Sequence, residues 1–337
     1  MTISLATSTI NKTVRKNVKE CLDTGRIGGG RFVKEFEDKV AEYMGAKHAI
    51  ATCNGSMADI VALATLKVLN PSKTEVIVPA LTFIAQTNAV LINGLTPIFV
   101  DIKEDYQIDD TKVSITDNTL AVFPANLLGK IAPIVPGEFD VPMVEDSCEA
   151  FGIRRGEAMT IFSFFPSHTI TTGEGGMIIT DSDTHAEIAR KMINHGRRSD
   201  KILEKFHYDF MGFNGKTSNV AAAIGLGVME EVDEIIETRK KNVFLYNNFL
   251  ENDFYAESPH AYPYIYKNQL VRDARLLTLE MEGIEARKIF SCIPTAEYGM
   301  KGNFPVAEKI ASHGLFVPIH QDLTQKEIKK IASIIRY

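Results

Sequence analysis

Between residues 75 and 164 the chain alternates short, almost wholly apolar runs with longer stretches whose apolar residues recur at helical spacing. EVIVPA (75–80), TPIFVDI (96–102), TLAVFPAN (119–126), VPMVEDS (141–147) and AMTIFSF (158–164) read as buried strands. Near-continuous apolar character of this kind suits a parallel or mixed sheet covered on both faces. SMADIVALATLKVL (56–69) and FIAQTNAVLING (83–94) read as intervening helices, with Gly94 suited to a helix C-terminus. The alternation predicts an α/β fold with a doubly wound sheet, whose ligand sites lie beyond the carboxyl ends of the strands.

The texture changes after about residue 218. The apolar spacing over 219–252 predicts one or two long helices leading into a second unit. Strand candidates near YIYKNQL (264–270) and GLFVPIH (314–320), closed by the amphipathic KEIKKIASII (326–335), predict a smaller α+β domain. The expected division is a large domain, 1–235, and a small C-terminal domain, 236–337.

Composition narrows the classes of partner. A net charge of −6 argues against a nucleic-acid or anionic-membrane surface. No apolar run approaches the roughly 20 residues of a membrane span, and MTISLATSTINKTVRKN lacks the apolar core of a signal peptide. Cys21, Cys53, Cys148 and Cys292 are scattered without metal-ligand spacing, which suggests free thiols in a reducing cytoplasm.

Three stretches carry candidate chemistry. TCNGSMADIV (52–61) sets Gly55 and Ser56 at a helix start, where free N–H groups, a hydroxyl and the helix dipole suit a phosphate; the stretch also reads as a plain cap made by Ser56. In VEDSCEAFG (144–152), Asp146 sits where a strand leaves the sheet and can hold a heteroaromatic nitrogen protonated. Glu149 lies on the same side if a helix follows. SFFPSHTITTGEGGMIITD (163–181) reads as strand, polar tip and strand, with Ser163 at its entry and His168, a proton carrier, at the tip. GEGG (173–176) is neither a dinucleotide nor a Walker fingerprint.

These stretches, together with GRFVKEFEDKVAEYMGAKHAIATCNGSMA (30–58), TFIAQTNAVLINGLTPIFVDI (82–102) and NGKTSNVAAAIGLGVMEEVDEII (214–236), occur in the order seen in one family. The chain resembles the DegT/DnrJ/StrS sugar aminotransferases, which bind pyridoxal phosphate (PLP) on the type I aminotransferase fold. The resemblance is weakest after about residue 255. It implies that Gly55, Ser56 and Ser163 hold the cofactor phosphate and that Phe83 stacks on its ring. It further implies that Asp146 pairs with the ring nitrogen and that Asn214 reaches the phosphate of the neighbouring subunit in a homodimer. Glu149 falls where these aminotransferases usually carry Gln beside the cofactor.

Position 168 departs from that pattern. Family aminotransferases have lysine there, tethered covalently to the cofactor, and an imidazole cannot form that link. The same replacement, with the acid at 149, is similar to the nucleotide-sugar 3-dehydratases of the GDP-4-keto-6-deoxymannose 3-dehydratase type. These use pyridoxamine phosphate (PMP) and glutamate in deoxysugar synthesis, as for lipopolysaccharide O-antigens, without a metal. The scattered cysteines argue against the iron–sulfur cluster of a related type. The resemblance thus implies a nucleotide-diphosphate sugar as substrate and His168 as the acid and base that expels the C3 hydroxyl. His195 and Arg197, in a family loop near the active site, and His320, after the apolar VPI, are further candidates for contacting substrate. An ordinary sugar aminotransferase with another amine standing in for lysine, and a non-catalytic cofactor-binding scaffold or regulator, remain open alternatives.

Overall fold

The computed structural model describes residues 2–155, 159–199, 201–299 and 302–336, so Ala158, first residue of one expected strand, lies outside it. Helices α1 (Lys12–Thr24) and α2 (Arg31–Tyr43) open the chain. The alternating region follows as β1 (His48–Thr52), α3 (Gly55–Leu69), β2 (Glu75–Pro79), α4 (Ile84–Ile92), β3 (Thr96–Val100) and β4 (Thr119–Val122). Next come β5 (Val144–Asp146), β6 (Met159–Ser163), β7 (Gly176–Thr180) and α5 (Asp183–Met192).

Strand β2 pairs in parallel with β3 and β4, and β5 in parallel with β6; β7 runs antiparallel to both β6 and β1. Parallel bridges Val122–Met143 and Ala125–Asp146 join the two groups. The order across the sheet is therefore β3-β2-β4-β5-β6-β7-β1, with β7 alone reversed among the described strands. Strands β5 and β6 consequently end side by side, at Asp146 and Ser163.

Helix α3 is apolar nearly all round, which buries it beneath the sheet instead of at the surface. Val61, Ala62, Leu63 and Leu66 pack there with Val76, Val144, Ile161 and Ile178. Its N-terminus emerges at the ends of β5 and β6. The opposite face of the sheet packs on Phe32, Phe36 and Val40 of α2.

The expected long helical stretch divides into α6 (Asn219–Val228) and α7 (Val232–Leu250), separated by one 3₁₀ turn. Helix α7 joins two cores: Val232 and Ile235 belong to the larger, Val243, Tyr246 and Leu250 to the smaller. The line between residues 235 and 236 thus falls inside one helix.

The C-terminal part comprises β8 (Tyr262–Ile265), α8 (Gln269–Met281), β9 (Arg287–Lys288), α9 (Ile293–Ala296), α10 (Pro305–His313), β10 (Gly314–Val317) and α11 (Gln325–Arg336). Its antiparallel sheet runs β8-β10-β9. Helix α11 buries Ile328, Ile331 and Ile335, as its pattern predicts. The strand expected over 264–270 stops at Ile265, because Asn268 accepts from the Val271 N–H and starts α8. The one expected over 314–320 stops at Val317, before Pro318.

The 163–181 stretch also differs from its sequence pattern. Ser163 pairs with Gly176, but the connection is a long loop folded inward, not a polar tip. Phe164 and Ile170 enter the larger core, and Thr169, Thr171 and Thr172 are buried. The loop is pinned by its own backbone: the Thr172 N–H donates to the Phe164 carbonyl at 3.0 Å, and the Thr171 hydroxyl to the same oxygen at 2.9 Å.

Candidate active site

The carboxyl ends of β5 and β6, the N-terminus of α3 and residues from the C-terminal part line a cleft of about 210 Å³. Seven of the residues singled out in the sequence line it: Gly55, Ser56, Phe83, Asp146, Glu149, Ser163 and His168.

One end of the cleft brings a helix N-terminus and two serines together. Asn54, not Ser56, caps α3, its side chain accepting from the Met57 N–H at 2.8 Å. That assignment leaves Ser56 exposed to the cleft at the positive end of the helix dipole. Ser163 lies directly opposite Gly55: a Cβ on that glycine would meet the Ser163 Cβ at 2.7 Å and its Oγ at 3.1 Å. Only glycine lets the helix start and the strand end approach so closely.

The middle is acidic and buried. Asp146 Oδ1 accepts from the Cys148 N–H at 3.0 Å, and burial raises its pKa. Beneath it Asp59, which sequence reasoning passed over, is buried in α3, and its Oδ1 lacks a hydrogen-bond partner. Burial, with the neighbouring Asp146 carboxylate adding to it, raises the Asp59 pKa well above the usual range. Two desolvated carboxyls facing one space favour a cation, and a protonated ring nitrogen would supply it. Phe83 precedes α4 with its ring exposed on one wall, 5.6 Å from the ring of Phe290.

The far wall holds His168. Its ring Nδ1 is buried without a partner, and its ring lies 5.1 Å from that of His260. Burial, with the nearby Arg239 guanidinium adding to it, lowers its pKa to about 4. Glu149 arrives through consecutive turns after β5, not on a helix: the Ala150 N–H donates to Ser147 O and that of Ile153 to Ala150 O. Its Oε2 accepts from the Leu128 N–H at 2.7 Å, its Oε1 lies 3.5 Å from His260 Nε2, and burial raises its pKa to about 7. No lysine is among the described residues lining the cleft.

The other candidates stand elsewhere. Asn214 is exposed beside the start of α3, where the Gly215 carbonyl accepts from the Cys53 N–H; its own Oδ1 accepts from Lys216 at 2.8 Å. His195 is exposed at a positive φ of 65°, and Arg197 follows on the same loop. His320 is not a lining residue: it is buried in the C-terminal part, with Nε2 3.1 Å from the Ser4 carbonyl. Sequence reasoning missed His260, Arg239 and Asp59. The available signals were a histidine just before the apolar run of β8, an arginine on the buried side of α7, and an acid inside an apolar helix.

The residues present fit PLP: a cradle that a Cβ would fill, a flat exposed ring, and desolvated acids awaiting a cation. The fold and this cleft define a pyridoxal-phosphate-dependent enzyme of the type I aminotransferase fold. The sequence profile of the DegT/DnrJ/EryC1/StrS aminotransferase family matches residues 8–336, and the chain belongs to that family. It is 33% identical to the GDP-perosamine synthase of Caulobacter vibrioides, over 99% of this chain and 97% of that one. It is 28% identical to the GDP-4-keto-6-deoxy-D-mannose 3-dehydratase of Yersinia pseudotuberculosis, over 98% of each chain. A solved GDP-4-keto-6-deoxymannose-3-dehydratase with a trapped PLP-glutamate geminal diamine superposes with a TM-score of 0.88 at 26% identity, covering 99% of this chain and 100% of that one. Among the described residues, no helix is long and apolar enough to cross a membrane.

Proposed function

We propose that the protein is a PLP/PMP-dependent 3-dehydratase of a nucleotide-linked 4-keto-6-deoxyhexose, with glutamate restoring the amine form of the cofactor. The observation that carries this reading is His168 at the position of the family's lysine, in a cleft with no lysine among its described lining residues. When bound, the cofactor supplies an amine for the sugar's C4 ketone and a ring that accepts an electron pair. The chain's residues do the rest. Ser56, Ser163 and the α3 N-terminus hold the phosphate, Phe83 covers the ring, and Asp146 keeps the ring nitrogen protonated. With the cofactor bound, His168, neutral near pH 7, would be the residue that moves the proton at C4′. Its depressed pKa then makes the imidazolium a strong acid toward the departing C3 hydroxyl.

The exposed Asn214, with the loop carrying His195 and Arg197, completes the site of a partner subunit in a homodimer on this reading. Both curated relatives are named for GDP-linked sugars, which makes a GDP-4-keto-6-deoxyhexose the first substrate to test. The higher identity to a perosamine synthase favours a second reading, amination at C4. Incubation of nucleotide 4-keto-6-deoxyhexoses with PLP and glutamate, followed by mass analysis, separates the two. A sugar that has lost water supports dehydration; an amino sugar overturns it. A cofactor spectrum unchanged by glutamate supports a non-catalytic scaffold.

A further inference from the structure

His260 is the second imidazole of the cleft, and proton transfer by His168 alone leaves it without a task. It enters just before β8, and its ring is tilted 41° to that of His168 at a centroid distance of 5.1 Å. On its other side, Nε2 lies 3.5 Å from Glu149 Oε1. Glu149, His260 and His168 thus form a row of proton-bearing groups drawn from three distant parts of the chain. Two devices hold this row. Arg239, buried in α7, donates to the carbonyl oxygens of both His168 and His260 at 3.2 Å, fixing the two backbones side by side. Leu128, in the left-handed region at φ 58°, directs its N–H to Glu149 Oε2 and leaves Oε1 to His260. The Nδ1 atoms of both rings are buried without partners, although buried polar atoms are usually satisfied.

We propose that His260 is a proton-carrying residue of the site, passing a proton between Glu149 and His168. After His168 has given up its proton, the proton on the Glu149 carboxyl moves to His260 Nε2 while the proton on His260 Nδ1 leaves for His168, once the two rings, which share no hydrogen bond at rest, turn into reach. Glu149 becomes a carboxylate, His260 ends in its other tautomer, and His168 becomes an imidazolium; no electron changes hands. The groups facing the row set where its proton rests, and they make the imidazolium of His168 the high-energy, strongly acidic end of the row. Burial foremost, then His168 itself, the Arg239 guanidinium from α7 and that of Arg287 from β9, oppose charge on His260; burial and then Arg239 oppose it on His168. Asp146 from β5, together with burial, favours the protonated form of Glu149, against the Leu128 N–H. Near neutral pH the proton of the row therefore rests on Glu149, while the Cys148 carbonyl favours its arrival at His168.

The proposal rests on the dehydratase reading only for what His168 does with the proton. Its test is a pH titration of the cofactor-free protein, with histidine ring nitrogens labelled and observed by NMR. The ring nitrogens of His260 and His168 should share an inflection near pH 7, and Glu149→Gln should abolish it in both. Rings that titrate alike in the wild type and Glu149→Gln overturn the relay. This readout needs no sugar, so it stands even if the substrate proves to be aminated. In turnover, His260→Gln should lower kcat about 10-fold or more while leaving cofactor affinity unchanged. An unaltered kcat counts against the proposal. Should either variant fail to fold, absence of the shared inflection in the wild type is decisive against it.

Discussion

Gly55 and Ser163 touch so closely that a single methyl group on the glycine would sit 2.7 Å from the serine Cβ. The contact sets the start of α3 against the end of β6 and leaves both serines of the cradle facing one point. Gly55→Ala should force these elements apart, costing about 1–3 kcal/mol of stability as overpacking usually does. PLP affinity should fall about tenfold, which is about 1.4 kcal/mol. Denaturant melts and absorbance titration with PLP check both, and equal dissociation constants would show that the cradle does not hold the phosphate.

Glu149 and His168 pull stability in opposite directions as pH changes. The carboxyl of Glu149 is raised to about 7 from the usual value of about 4.3. Its contribution is full below about 4.3 and is lost as pH rises through 7. His168 is lowered to about 4 from about 6.5, so its contribution is full above 6.5 and is lost as pH falls through 4. Between these limits the two slopes, each at most about 1.4 kcal/mol per pH unit, offset one another. Relative to wild type, cofactor-free Glu149→Gln should therefore gain stability with rising pH across that window, and His168→Asn should lose it. Urea melts from about pH 4 to 8 report the difference, and curves parallel to wild type would contradict both shifts.

The parts of the site visible in the sequence are those set by local pattern. Asp146 and Ser163 each end an apolar run, and a strand that ends beside its parallel neighbour must deliver both residues to one edge. Gly55 and Ser56 begin an apolar helical run, although the capping role went to Asn54, two residues before the equally suitable Ser56. What stayed hidden depends on contacts between distant segments. His260 meets Glu149 only because the C-terminal part folds over the strand ends, and Arg239 is buried only because α7 spans two cores. Asp59 looks like a helix-surface acid until the helix proves to be buried all round. The inward folding of the 164–175 loop was equally unreadable, since Thr171 and Thr172 satisfy their hydroxyls on the loop's own backbone.

Asn214 tests the proposed assembly. It is exposed beside the cradle but does not line the cleft of its own chain. If it serves a neighbouring site, the protein should sediment as a dimer, and Asn214→Ala should release PLP more readily without altering the fold. A monomer that keeps its cofactor equally well with either residue would remove the reason for the assembly.

His168 decides between elimination and amination. Borohydride reduction of the PLP-loaded protein should leave no adduct at position 168, and none on a lining lysine, since the cleft offers none. A reduced adduct on Lys130 or Lys216 would instead indicate a stand-in amine. His168→Lys should create a covalent link, seen as a pH-sensitive absorbance band, and suppress dehydration. The new amine is suited to returning a proton to the sugar, so amino sugar becomes the expected minor product. His168→Asn keeps a polar side chain of similar reach but removes proton transfer, and dehydration should fall about 10²-fold or more. Cofactor affinity should change little, because Ser56, Asp146 and Ser163 remain in place. Dehydration by the Asn variant at the wild-type rate would make His168 a spectator and move the acid–base role to another group in the cleft.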